Sequence, residues 1–124
     1  MKKILIVEDE PAYLKLLRDQ LTQNNYQVIE ATNGKEGLAA ANLSHPDLIL
    51  LDLRMPEMNG LTMLDELRKN EYGKLVKVFI LTNLEPDDEI LDKVLEDQPT
   101  YYLIKSDIEL SELIDKIRDI LIEK

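Results

Sequence analysis

Four apolar runs in this chain end on residues that could do chemistry. Residues 4–7 (Ile-Leu-Ile-Val) run into Glu8, Asp9 and Glu10, residues 48–51 end at Asp52, residues 78–81 at Thr82 and residues 101–104 at Lys105. Like charges packed at the end of a buried run repel one another and resist desolvation. The acids after residue 7 therefore either form a wet turn or have a compensating cation. If the four run ends meet, Glu8, Asp9, Asp52, Thr82 and Lys105 aim carboxylates, a hydroxyl and an ammonium at one rim. An oxygen-only ligand set with no His or Cys nearby suits a hard ion such as Mg²⁺. Lys105 would pair with Asp52 when the site is empty and with a phosphoryl oxygen when it is filled, and Thr82 offers one hydroxyl donor. Such a set performs phosphoryl transfer by positioning and charge neutralisation, with the Asp52 carboxylate as nucleophile.

The elements that must position these residues follow from hydrophobic period. The continuous apolar runs at 4–7, 48–51 and 78–81 predict strands buried on both faces, and 28–29 and 101–104 are weaker strands of the same kind. Between them the spacing is helical. Leu14, Leu17 and Leu21 line one face, as do Leu61, Leu64 and Leu67. Ile90, Leu91, Val94 and Leu95 mark a fourth helix, and Leu110, Leu113, Ile114, Ile117 and Leu121 a fifth. Asn33 and Glu36 read as a capping pair that opens the helix through Leu38 and Ala41. Pro11 and Pro86 suit first-turn positions, and Asp87, Asp88 and Glu89 favour the positive end of the helix they begin. Strand–helix alternation predicts an α/β fold with a doubly wound parallel sheet. Ligands of such sheets bind beyond the carboxyl ends of the strands, where the polar residues fall.

Bulk properties exclude other classes. The 124 residues fit a single domain, 1–124, and a hydrophobic content of 44% is ample for a core. The absence of cysteine rules out disulfides, thiolate metal sites and a cysteine nucleophile. A net charge of −10 argues against gripping a nucleic-acid backbone. No apolar stretch approaches a membrane span, and Glu8 cuts the N-terminal run too early for a signal peptide, so a cytoplasmic protein is expected. The lone His45, before Pro46 in a turn, reads as a surface residue, Glu10 as a solvated acid at a helix start, and Met55 and Met58 as packing.

The chain resembles, along its whole length, the receiver domain of two-component response regulators, including the stand-alone type related to the chemotaxis regulator. The resemblance is carried by Val7-Glu8-Asp9-Glu10, by residues 46–60 (Pro-Asp-Leu-Ile-Leu-Leu-Asp-Leu-Arg-Met-Pro-Glu-Met-Asn-Gly), by Leu81-Thr82 and by Tyr102-Leu103-Ile104-Lys105. It implies a flavodoxin-like doubly wound (βα)5 fold with strand order 2-1-3-4-5. It also implies that Asp52 accepts a phosphoryl group from a sensor histidine kinase, a phosphotransfer protein or a small phosphodonor. Asp9, Asp52 and the backbone carbonyl of Arg54 would ligate Mg²⁺ directly, with Glu8 acting largely through water. Thr82 would move toward the phosphoryl group and Tyr102 would change rotamer with it. That shift would reshape the surface made by helix four, strand five and helix five for a downstream protein, in a monomer or a weak phosphorylation-dependent homodimer. If Lys124 is the native end, output is expected through a partner, and if the chain is an isolated piece, an output domain lies outside it. The receiver itself is expected to bind neither nucleic acid nor membrane directly.

Three positions depart from that family pattern. Ser106 stands where proline after a cis bond is usual. A cis bond before a non-proline residue costs roughly 2.5–4 kcal/mol, so a trans Lys105–Ser106 bond is expected, with Ser106 or Asp107 capping helix five. Asn83 stands where alanine or glycine is common, and its side chain is expected either to crowd the phosphoryl pocket or to donate a hydrogen bond into it. Gln98-Pro99 should end helix four near Asp97, since the residue before proline disfavours helical dihedrals. Rival functions are a constitutive module with a vestigial site and a phosphatase with an aspartyl nucleophile. The phosphatase would want a second acid at Arg54. A flavodoxin-like nucleotide binder would want a glycine-rich first loop, which residues 8–11 are not.

Overall fold

The structure, a computed structural model, describes residues 1–55 and 58–122; Pro56, Glu57 and Lys124, which the sequence reading used, lie outside the described residues. Strands β1 (Lys3–Val7), β2 (Gln27–Ala31), β3 (Leu48–Leu51), β4 (Lys77–Thr82) and β5 (Tyr101–Ile104) alternate with helices α1 (Pro11–Gln23), α2 (Gly34–Ser44), α3 (Gly60–Leu67), α4 (Asp88–Asp97) and α5 (Leu110–Leu121). The strands form one parallel sheet in the order β2-β1-β3-β4-β5, the flavodoxin-like arrangement expected.

Continuous apolar runs arise because each central strand faces two cores. Ile4, Ile6, Leu48, Leu50, Phe79 and Leu81 pack against Leu14, Leu17 and Leu21 of α1 and against Leu113, Ile114, Ile117 and Leu121 of α5. The alternate residues, Leu5, Val7, Ile49, Leu51, Val78 and Ile80, pack against Met63, Leu64 and Leu67 of α3, Ala41 of α2 and Val94 of α4. Each fully buried side chain of this size contributes on the order of 1.5–3 kcal/mol. The edge strands β2 and β5 are mostly half-buried, which is why their sequence signal is weak.

Local signals are met at most helix ends. Pro11 opens α1. The Asn33 side chain accepts the Glu36 N–H at 2.8 Å, while the Glu36 carboxylate takes the N–H and hydroxyl of Thr32. Helix α4 ends at Asp97, with Gln98 in a left-handed conformation (φ 50°) before Pro99. Two expectations are corrected. Asp87 caps α4, so Pro86 precedes the first turn. Helix α5 is capped by Glu109 in a reciprocal box with Glu112, because Lys105–Asp107 forms a 3-10 turn that delays the helix. The apolar set of α4 also divides. Val94 is buried, whereas Leu91 and Leu95 are 40% and 73% exposed.

The end of α4 is held by a cation on α3. The Arg68 guanidinium donates to the carbonyls of Asp97, Gly73, Val76 and Gln98 at 2.7–3.2 Å, so one side chain satisfies orphan groups at a helix end and in the α3–β4 loop. Replacing Arg68 with Met is expected to cost about 2–3 kcal/mol. Urea unfolding measures this, and an unchanged midpoint would contradict the capping role.

Candidate functional site

The site lies beyond the carboxyl ends of β1, β3, β4 and β5. Parallel pairing continues one residue past β1 and β3: Glu8 N–H donates to Ala31 O at 2.9 Å and Asp52 N–H to Val7 O at 3.0 Å. This fixes both carboxylates at the rim. Glu8 is 2% and Asp52 6% exposed, while Asp9 between strand and helix is exposed. An oxygen from each of Glu8, Asp9 and Asp52 lies within 4.8 Å of the others.

Lys105 joins the cluster from β5. Its Nζ lies 2.5 Å from Glu8 Oε1 and 3.1 Å from Asp52 Oδ2, with the largely exposed Glu10 carboxylate at 4.0 Å. The Tyr13 ring covers the ammonium, its centroid 4.5 Å from Nζ. Burial alone would pull the Lys105 ammonium down. The hydrogen bonds and charges of Glu8 and then Asp52 outweigh it and hold the group above its usual range. Burial pushes the Glu8 carboxyl up, opposed by Lys105 and by the Glu10 N–H that donates to Glu8 Oε2 at 3.1 Å. Asp52 Oδ1 accepts the Arg54 N–H at 3.2 Å, which sets the Arg54 backbone beside the cluster.

Thr82 and Tyr102 face a neighbouring loop. Thr82 is fully buried, and its Oγ1 accepts the Leu84 N–H at 3.3 Å. The Tyr102 hydroxyl donates to Leu84 O at 2.6 Å. The sequence reading thus placed Glu8, Asp9, Asp52 and Lys105 together correctly. It missed that Glu8 is the nearest carboxylate to Lys105, and it missed the Tyr13 ring, which one helical turn after Asp9 could have signalled. Asn83 departs from its expected role: its Oδ1 accepts the Ser106 N–H at 3.0 Å. The described residues contain no cis peptide, so the Lys105–Ser106 bond is trans as expected. His45 is exposed and stacks on Tyr72 with ring centroids 4.3 Å apart, away from the site.

Gly60 matters here by close approach. A Cβ at this position would stand 2.3 Å from Asp52 O and 2.8 Å from Leu53 Cα, so α3 begins directly against the backbone that carries Asp52.

The donor set fits a hard divalent cation. Three carboxyl groups face one ammonium, so acids outnumber cations in the cluster. An octahedral Mg²⁺ sets adjacent ligands roughly 3 Å and opposite ones roughly 4 Å apart, so oxygens within 4.8 Å of one another lie near enough to be gathered by one ion, directly or through water.

A doubly wound sheet whose strand ends gather three acids and a lysine defines a class of fold and rim that comparison with known proteins places in a family. The family model described as "Response regulator receiver domain" matches residues 4–118, and the chain belongs to that family. It is 38% identical over 94 residues to the alkaline phosphatase synthesis transcriptional regulatory protein PhoP of Bacillus subtilis, covering 76% of this chain and 37% of PhoP. The chain therefore spans well under half the length of that relative. Protein PilH of Pseudomonas aeruginosa is 36% identical over 76% of this chain and 75% of PilH. Among solved structures, chemotaxis protein CheY4 of Vibrio cholerae superposes with a TM-score of 0.87 at 26% identity, over 98% of this chain and 99% of that one. The chain is accordingly a receiver domain of two-component signalling.

Removing the lysine tests the electrostatics. Lys105→Met leaves Glu8 and Asp52 buried without their cation, and the expected loss is about 3 kcal/mol at neutral pH. Without Lys105 the Glu8 carboxyl rises further above its ordinary 4.5. A raised carboxyl disfavours the ionised fold, so the deficit grows as pH rises through that raised value and shrinks as pH falls toward 4.5. Denaturant unfolding across this range measures it, and a deficit independent of pH would contradict the assignment.

Proposed function

We propose that this chain is the phosphoryl-accepting switch of a two-component relay, with Asp52 as acceptor and Mg²⁺ as cofactor. The observation that carries this reading is the buried Glu8–Lys105–Asp52 cluster beside exposed Asp9. The donor is a phosphohistidine of a sensor histidine kinase or phosphotransfer protein, or a small phosphodonor. An Asp52 carboxylate oxygen forms the bond to phosphorus as the bond from phosphorus to the donor nitrogen breaks, and the electron pair leaves with the imidazole. Asp9, Asp52 and the Arg54 carbonyl would hold the cation, with Glu8 acting largely through water. Bound there, Mg²⁺ supplies positive charge against the phosphoryl oxygens. Lys105 exchanges Asp52 Oδ2 for a phosphoryl oxygen. A magnesium ion is coordinated in the active-site cleft of the receiver domain of sensor histidine kinase PA1611 of Pseudomonas aeruginosa, 26% identical with a TM-score of 0.84 over 95% of each chain, which supports this cofactor.

The switch couples Thr82 to Tyr102 through Leu84. Thr82 releases the Leu84 N–H to donate to the phosphoryl group, and the Tyr102 ring, bonded to Leu84 O, shifts with the loop. A ligand that prefers one arrangement biases an existing equilibrium. The output surface is α4–β5–α5, where exposed Leu91 and Leu95 border a groove of about 410 Å³ that reaches Tyr101 and Tyr102. It serves a downstream protein or a weak phosphorylation-dependent homodimer. The role is signalling, with phosphotransfer and dephosphorylation confined to the domain's own aspartate.

Incubation with acetyl phosphate and Mg²⁺ is expected to add one phosphoryl group by intact mass, and Asp52→Asn to abolish it. Asp9→Ala should weaken Mg²⁺ binding by roughly tenfold or more, whereas Glu10→Ala should leave it nearly unchanged. An unmodified wild-type protein would favour the vestigial module instead.

A further inference from the structure

The β4–β5 ladder ends at the pair Thr82↔Ile104, one residue short of Lys105. Beyond that pair the backbones diverge, β4 into the loop toward α4 and β5 into the 3-10 turn Lys105–Asp107. Besides the Tyr102 hydroxyl bond to Leu84 O, a bond between the two diverging segments spans the gap: the Asn83 carboxamide oxygen accepts the Ser106 N–H at 3.0 Å. Proline at 106 would have no N–H to give, and alanine or glycine at 83 no side-chain oxygen to receive it. The two departures from the family pattern thus meet in a single contact.

We propose that Asn83 is a positioning residue whose side chain adds one rung to the sheet and sets the spacing of Thr82 and Lys105. The inference rests on the phosphoryl-acceptor reading, under which these two side chains are the hydrogen-bond donors to the bound phosphoryl group. Thr82 directly precedes Asn83, and Lys105 directly precedes Ser106, so the rung joins their main chains at adjacent positions. Lys105 is then fixed at both ends, its ammonium by Glu8 and Asp52 and its following peptide by Asn83. When Thr82 turns from Leu84 N–H toward a phosphoryl oxygen, the rung keeps Lys105 in step with it.

Beryllofluoride, a phosphoryl mimic, with Mg²⁺ provides the test. Asn83→Ala should lower beryllofluoride affinity by roughly two- to tenfold, the range of one net hydrogen bond. Mg²⁺ affinity without the anion should stay the same, because Asp9 and Asp52 lie on neither loop. The Ser106 amide should exchange faster with solvent in the variant. In a Ser106→Pro background the N–H is already gone, so adding Asn83→Ala should change nothing further. Equal anion affinity in Asn83→Ala, unchanged Ser106 exchange, or a loss that persists in the proline background overturns the inference alone. A wild-type protein that binds no beryllofluoride overturns the acceptor reading, and this inference with it.

Discussion

One ammonium held between two buried carboxylates organises this molecule. Glu8 and Asp52 end adjacent strands and could not both stay ionised so close without a cation between them. Lys105, two strands away from Asp52 in the sheet, provides it, and in doing so ties β5 across β4 to the centre of the sheet. Such a pair is weak evidence for stability, since desolvation offsets much of the attraction. Its effect is to hold the Asp52 carboxylate in place at a rim where acids outnumber cations.

That shortage divides the labour among the acids. Glu8 is satisfied within the protein, by Lys105 and by the Glu10 N–H. Asp9 remains exposed at the mouth. Asp52 stands between, with one oxygen on Lys105 and the other on the Arg54 N–H. A run of acids that looked like one electrostatic fault thus consists of an internal partner, an outward-facing carboxylate and, in Glu10, a solvated residue at the helix start.

Much of this was legible in the sequence because the rim residues directly follow apolar runs, and a parallel sheet brings all its strand ends to one side. The central strands and the caps at Asn33 and Gln98 are local signals, and local signals survive folding. What was not legible depends on distance through space. The Ser106 N–H could be seen to exist, but not that Asn83 would reach it. The start of α5 moved because a 3-10 turn absorbed the residues expected to cap it. Leu91 and Leu95 kept a helical period while facing solvent, because period reports a shared face and not what covers it.

The last of these has a mechanical consequence. Helix α4 buries Val94 alone, while α5 buries Leu113, Ile114, Ile117 and Leu121. The two cores lie on opposite faces of the sheet, so α4 can slide or unravel without opening the packing under α1 and α5. The molecule therefore sets a lightly anchored helix on a firmly packed platform: α4 can yield while the face under α1 and α5 stays closed.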